Sequence, residues 1–381
     1  MQEELESDVA VVGAGVHGSC AALHLARAGR RTILLEQFPV PHTRGSSHGQ
    51  SRITRTANDG IPALEPIMRD ALTQWQRLQE QAGDTLFRPA PMLAMSRGDQ
   101  RPILEKCAQS VEEAGYTPVW LPPATVLSKF GITIPNDSLA VVDTSAGVLM
   151  ADKCVAAIQR LFREAGGRMV DNWPVEGVEV GPDGSVKITG RRGTVRAGTV
   201  VLCPGPWAGP LLAKLGVHIP LRVEKISVFY WRIDDPTYTT TSFIDYHDPK
   251  GHFYGLPELE YPGLVKVVYH GGPEVKPEER DEGDNRDIKE ATKTYVKERF
   301  PFLHPHPAIE ETCMYTWTPD KQFVVDRHPV YKNVIFACGF SGSGFKIAPT
   351  IGQELCRLVL EEPTVFDLSA FSASRFSTGS K

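Results

Sequence analysis

Three glycines in the segment Gly13-Ala-Gly15-Val-His-Gly18 stand between a short β-branched run, Asp8-Val-Ala-Val-Val12, and a stretch with Ala21, Leu25 and Ala28 at helical spacing. Strand, tight turn and helix in that order bring backbone N–H groups and a helix N-terminus to a pyrophosphate. Gly13 and Gly15 allow the sharp turn and the close approach, and Gly18 lets helix and strand pack. After Gly29 the chain reads as a second strand ending on Glu36. A carboxylate there accepts hydrogen bonds from ribose hydroxyls and repels a 2′-phosphate, which disfavours NADP and leaves FAD and NAD both open. Farther along, Lys266 and His270 share a strand face, because side chains an even number apart point the same way. Gly205, in Cys203-Pro-Gly-Pro-Trp207, and the turn Gly339-Phe-Ser-Gly342-Ser-Gly344 give backbone a second and third chance to approach a ligand closely. Arg52 and Arg55 stand three apart in a serine-rich loop, where arginines are commonly solvated, although a guanidinium such as that of Arg55 can grip a carboxylate through two parallel hydrogen bonds.

These residues need elements to position them. Apolar spacing predicts helices over Glu65–Gln81, Asp152–Ala165, Ile288–Phe300 and Ile351–Leu360. A β-meander is expected over Val175–Val180, Ser185–Thr189 and Arg196–Leu202, with further strands between Val217 and His270. Pro39–Gly60 reads as an ordered loop and Glu274–Asp287 as a charged, solvated one. The stretch from Glu311 to Leu360 reads as a return to the first domain. We therefore expect a mixed α/β chain in which a Rossmann-like dinucleotide-binding domain (1–88, 148–215 and 310–381) is interleaved with a β-rich substrate domain (89–147 and 216–309). No internal repeat is evident.

Composition narrows the function. The chain has 381 residues, 41% apolar and 23% charged, which suits a globular protein with a large core. A formal net charge of −5 without a Lys/Arg stripe argues against nucleic acid as a partner. No run of eighteen apolar residues stands in the sequence, and the acidic N-terminal segment is unlike a secretory or mitochondrial signal, so a non-membrane, intracellular protein is expected. Seven cysteines without CxxC spacing argue against a disulfide framework or a zinc site, and metal is not expected.

Several separated segments resemble the monomeric sarcosine oxidase family, in its order and over nearly the whole chain. They are Arg44-Gly-Ser-Ser-His48-Gly-Gln-Ser-Arg52-Ile-Thr-Arg55, Tyr254-Gly-Leu-Pro, Lys266-Val-Val-Tyr-His270, Cys313-Met-Tyr-Thr-Trp-Thr-Pro-Asp320 and Gly339-Phe-Ser-Gly-Ser-Gly-Phe-Lys346. The sequences around Arg44–Arg52 and Cys313 resemble its peroxisomal branch, the sarcosine/L-pipecolate oxidases. Ser343 departs from the family, which usually has His there.

The resemblance implies FAD, bound covalently through Cys313 to the 8α-carbon, with Arg44, Ser47, His48, Gly342, Gly344 and Lys346 joining Gly13, Gly15, Gly18, Glu36 and Gly205 around it. It implies that Arg55 and Lys346 clamp a substrate carboxylate, that His48 and Arg52 lie by the flavin ring as positive groups, and that Lys266 promotes reaction with oxygen. His270 and Tyr254 are implied pocket residues with a possible acid/base or hydrogen-bonding role. The expected reaction is oxidation of the C–N bond of a small secondary amino acid (sarcosine, L-pipecolate or L-proline) by O2, giving an imine and hydrogen peroxide. The competing readings are a flavin dehydrogenase using another electron acceptor, which has no need of Lys266, and a non-catalytic dinucleotide-binding protein. A monomer is implied. The final Gly379-Ser-Lys381 is one leucine short of a Ser-Lys-Leu address, which makes the peroxisome the expected compartment and the cytoplasm the alternative.

Overall fold

A computed structural model describes residues 3–56, 61–238, 240–247 and 251–376. Met1 and Gln2, the end of the 39–60 loop and the terminal Gly379–Lys381 segment lie outside the described residues.

The apolar run at Asp8–Val12 forms the end of a longer strand, Glu3–Val12. Thr32–Leu35 pairs with it in parallel on one side and Gly193–Leu202 on the other. Arg168–Val170 and Val334–Cys338 extend the parallel set outward. Parallel strands are covered on both faces, which is why Val9, Ala10 and Val11 alternate with nothing polar and are all buried. One face packs under the helices Val16–Arg27, Ala151–Glu164 and Gly344–Val359, with Glu65–Ala82 behind them. The antiparallel meander Val175–Val180, Val186–Gly190, Gly193–Leu202 completes the sheet.

The last helix starts at Gly344, well ahead of the expected Ile351, and runs through Pro349. Proline is a poor helix residue, but tertiary packing overrides propensity here. Gly352 lies so close to the first helix that a Cβ on it would sit 2.4 Å from Cys20 Cβ.

A second eight-stranded sheet runs in the order Leu303–Trp317, Arg222–Ile233, Leu264–Tyr269, Phe253–Leu256, Ser242–Asp245, Met92–Arg97, Ser138–Asp143, Val119–Leu121. All neighbours are antiparallel except Ser242–Asp245 with Met92–Arg97. The expectation that Glu311 returns the chain to the first domain is corrected: Leu303–Trp317 pairs along Arg222–Ile233, with Ile226 opposite Cys313, so the chain leaves this layer only after Trp317. The partner strand is buried from Val223 to Trp231, and its edge hydrogen-bonding groups would otherwise be orphaned. Helix Arg101–Glu113 covers part of this sheet through Leu104, Cys107 and Val111.

A third, small sheet of Ser51–Thr54, Gly147–Met150 and Phe87–Pro89 turns part of the 39–60 loop into strand. It fixes the direction of Arg52 and Arg55. Gly147 is required there, since a Cβ would lie 2.2 Å from the Phe87 ring.

Candidate active site

The two large sheets meet around one cavity of about 910 Å³, near the top of the usual range for ligand and cofactor pockets of ~300–1,000 Å³. At one end lies the glycine turn. Gly13 has φ +98°, where a Cβ would strike the Cys203 carbonyl oxygen at 2.3 Å. The helix that follows has no side-chain cap of its own, and Ser47 Oγ, from the 39–60 loop, accepts the Val16 N–H at 3.0 Å. The Ser47 hydroxyl proton and the positive helix end therefore remain for a phosphate. Glu36 accepts the Ala14 and Phe38 N–H groups at 2.9 and 3.1 Å, one on each oxygen, leaving lone pairs for ribose hydroxyls. Ser46 Oγ is buried without a partner, as expected of a group awaiting a ligand. These features fit a dinucleotide, and Gly205, at φ +58°, adds an open approach beside them.

At the other end the lining changes to cations and rings. Arg52, Arg55, Lys266 and Lys346 all reach the cavity, as do His48, Tyr254, His270 and Cys313. Cys313 is 8% exposed and its Sγ lies 4.0 Å from Arg52 Nη2. Burial pushes the thiols of Cys338 and Cys356 up to about 12 and about 11, which keeps them neutral. All seven cysteines are free. Arg55, 8% exposed, points Nη2 toward the Tyr246 hydroxyl at 3.5 Å. Tyr254 and Tyr315 share a hydroxyl hydrogen bond of 3.0 Å, and burial raises both phenols, Tyr254 to about 12, so both stay protonated and the pair has one proton left to donate.

His270 lies just past the end of its strand rather than within it, yet shares the cavity with Lys266. It stacks on His252 at 4.1 Å between centroids and is edged by Trp317 at 5.6 Å. Gly342 fits beneath it only because a Cβ would lie 2.4 Å from His270 Cε1. Gly344 and Ser343 also line the cavity, and Ser343 begins the last helix.

Two expected residues lie outside the cavity wall. Gly18 faces the turn instead, where a Cβ would sit 1.9 Å from the Gly13 carbonyl oxygen. The Arg44 side chain forms an ion pair with Asp281 away from the cavity. The charge expected of His48 is also corrected. Burial first, then Arg52 and Arg280, lowers it to about 3, and Arg280 Nη1 donates to its Nε2 at 3.3 Å, so the ring is neutral near pH 7.

Arg280 was missed because it sits in a run that reads as solvated; it is 5% exposed. His252, Tyr246 and Tyr315 were also missed, although Tyr315 stands two residues from Cys313 on the same strand face. Glu260, ion-paired to Lys266 at 2.9 Å, carries no signal of its own in the turn Glu258-Leu-Glu-Tyr-Pro. Among the described residues no His/Cys/Asp/Glu cluster could hold a metal ion, and no helix is long and apolar enough to cross a membrane.

A parallel sheet with a dinucleotide turn, joined through one cavity to a cationic, aromatic-walled chamber, defines a dinucleotide-dependent oxidoreductase of two interleaved layers. The family described as FAD dependent oxidoreductase, DAO, matches residues 8–358, and the chain belongs to that family. It is 37% identical to the peroxisomal sarcosine oxidase of Mus musculus, over 98% of this chain and 97% of that one. It is 31% identical to the monomeric sarcosine oxidase of Arthrobacter sp. (strain TE1826), over 98% of both. Among solved structures it superposes on NikD, described as an unusual amino acid oxidase, with a TM-score of 0.85 at 23% identity over 97% of each chain. It also matches the L-proline dehydrogenase of P. horikoshii, TM-score 0.84 at 18% identity over 98% of each chain. The fold is that of FAD-dependent oxidoreductases, and FAD is the dinucleotide.

Proposed function

We propose that this chain is an oxidase of small secondary amino acids such as sarcosine, L-pipecolate or L-proline, producing an imine and hydrogen peroxide. The observation that carries this reading is that Arg55, Lys346 and Lys266 open onto the same cavity as the dinucleotide turn. When bound, FAD would supply the two-electron acceptor for oxidation of the substrate CH–NH unit to an imine, the hydride leaving the carbon and a proton the nitrogen, with oxygen as the final acceptor. Arg55 grips the substrate carboxylate through its planar fork and Lys346 adds a point charge, which together hold the reacting carbon still. The protonated pair Tyr254 and Tyr315, linked by one hydrogen bond, has one hydroxyl proton left to donate into the cavity, and the rings of His252 and His270 exclude water. Lys266 supplies the positive charge that favours electron transfer to oxygen. Gly13, Gly15, Glu36, Ser47 and Gly205 would hold the dinucleotide, and Cys313, at the flavin end of the cavity, would hold the flavin covalently through its sulfur.

The test is anaerobic bleaching of the purified yellow protein by each amino acid, followed by peroxide measurement on admitting air. Bleaching without peroxide makes the protein a dehydrogenase. No bleaching by any secondary amino acid overturns the reading. The relatives' names support a monomeric, peroxisomal protein, tested by light scattering and by imaging of the tagged protein in cells.

A further inference from the structure

Lys266 stands in the cavity wall with a carboxylate behind it. Its Nζ lies 2.9 Å from Glu260 Oε1 and 3.4 Å from Ser51 Oγ, and Ser51 hydrogen-bonds to the same carboxylate oxygen. The other oxygen, Glu260 Oε2, accepts from the Tyr230 hydroxyl at 2.5 Å. Tyr230 also reaches Glu311 Oε2 at 3.1 Å, and Tyr261 donates to Glu311 Oε1 at 2.7 Å. The side chains of Lys266 and Glu260 are 7% and 3% exposed. Lys266 and Glu311 line the cavity; Glu260 and Tyr230 lie behind it.

We propose that Glu260 is the positioning residue for Lys266, holding the ammonium against the cavity wall and keeping it protonated where burial alone would remove its proton. The inference rests on the oxidase reading, in which Lys266 is the cation that favours oxygen reduction. A buried amine without a counter-ion loses its proton, and an opposite charge in contact restores it. The groups facing Lys266 are Glu260, Ser51 and Arg52, with Glu311 behind and the Tyr230 ring at 5.5 Å; His48, nearby, is neutral. Burial lowers the Lys266 pKa, Glu260 raises it, and Arg52 lowers it again, so Glu260 is the largest influence that keeps the proton on. Three donors aimed at Glu260 hold that carboxylate ionised despite its burial.

Removing the carboxylate has two opposed effects, and their sum depends on pH. Below the lysine's new midpoint the ammonium persists without its counter-ion, and the field at the cavity is more positive. Above it the amine is neutral and the field is gone. A residue with a merely structural role would lower the rate by the same factor at every pH.

The experiment uses the FAD-loaded enzyme carrying Glu260→Gln. Stopped-flow reoxidation by oxygen is followed from about pH 6 to about pH 10, alongside anaerobic reduction by substrate. The expected result is an alkaline limb moved to lower pH by about one to three units, an acid plateau no lower than that of the unsubstituted enzyme, and anaerobic reduction within about threefold. A readout independent of turnover is the pH dependence of trace acetic anhydride labelling of the Lys266 amine, read by mass spectrometry; its midpoint moves by the same amount. Glu260→Asp keeps the charge and brings both midpoints back toward the unsubstituted enzyme; Glu260→Ala, which also removes the carboxylate, takes the place of the glutamine variant if that does not fold. An unmoved labelling midpoint in a folded variant that lacks the carboxylate, or a uniform loss across pH, overturns the proposal. An unsubstituted enzyme that forms no peroxide overturns the oxidase reading instead, while the labelling still decides whether Glu260 controls Lys266.

Discussion

Replacing Arg55 by methionine should weaken carboxylate binding by about 10- to 100-fold. The side chain is 8% exposed, opens onto the cavity beside Lys346, and has the Tyr246 hydroxyl 3.5 Å from Nη2. A charge-assisted hydrogen bond to an ionised group contributes about 1.5–3 kcal/mol, and each ~1.4 kcal/mol is a factor of ten, which gives the range stated. Methionine fills a similar volume, so the change removes charge rather than packing. The assay is an anaerobic titration of the FAD absorbance with acetate, a carboxylate that cannot be oxidised, which reads a Kd free of turnover. For sarcosine the Michaelis constant should rise with a smaller change in kcat, and Lys346→Met should weaken acetate less, as a point charge without a fork. If both cations hold one carboxylate, the double variant departs from additivity by about 0.5–3 kcal/mol. An unchanged acetate Kd in Arg55→Met refutes the clamp. So does equal weakening of sarcosine and of its neutral amide, because the lost interaction would then not be with a carboxylate.

Lys266→Met should slow reoxidation of the reduced enzyme by oxygen strongly while anaerobic reduction by substrate changes far less; equal loss in both half-reactions removes oxygen activation as its role. Cys313→Ser should fold and bind FAD but release it on acid precipitation, whereas the unsubstituted protein keeps yellow colour in the pellet. A tryptic peptide bearing unmodified Cys313 from active yellow enzyme refutes the thioether. Acidification should destabilise the fold between about pH 6.5 and pH 4, because burial lowers His24 to about 4 and His17 and His48 to about 3. The folded state then binds fewer protons than the unfolded one in that window, so stability falls as pH falls, by about 2 kcal/mol per histidine. In His24→Leu the drop in Tm between those pH values should be smaller; an unchanged drop refutes the assignment.

The parts legible in the sequence are those whose physics is local. The turn at Gly13 and the helix Glu65–Ala82 follow from glycine geometry and apolar periodicity over a few residues. The same signal stands at Leu104, Cys107 and Val111, at helical spacing, and the helix Arg101–Glu113 forms there, an element absent from the sequence expectation for residues 89–147. Illegible were pairings between distant segments. Strand Leu303–Trp317 carries no mark of which sheet it joins, and its partner lies some eighty residues earlier. Arg280 stands among acidic and basic neighbours that are solvated, and only the fold reveals that it reaches a histidine in the 39–60 loop. The functional residues named from motifs were found because their segments could be compared as units; Glu260, His252 and Tyr246 stand outside those segments.

The chain is acidic overall, yet Arg52, Arg55, Arg280, Lys266 and Lys346 converge on one cavity from separated segments. Burying guanidinium groups is costly unless their donors are satisfied. Arg52 meets that demand with the carbonyls of Ser51, Ser46 and His48, and Arg280 with those of Thr43 and Arg44. All five carbonyls belong to one loop, so this loop is folded around the two guanidinium groups and its order depends on them. That arrangement also determines the state of His48. Enclosed by Arg52 and Arg280 and removed from water, the imidazole cannot accept a proton near neutral pH, and its Nε2 serves instead as an acceptor for Arg280. Positive charge beside Cys313 Sγ is therefore carried by Arg52, a group that does not titrate, at 4.0 Å. A protonated histidine in that place would lose its charge across the physiological range, whereas a guanidinium holds both the loop and the local field constant with pH. Lys266, by contrast with the guanidinium groups, is a cation of the site that can titrate, and the carboxylate of Glu260 stands against it.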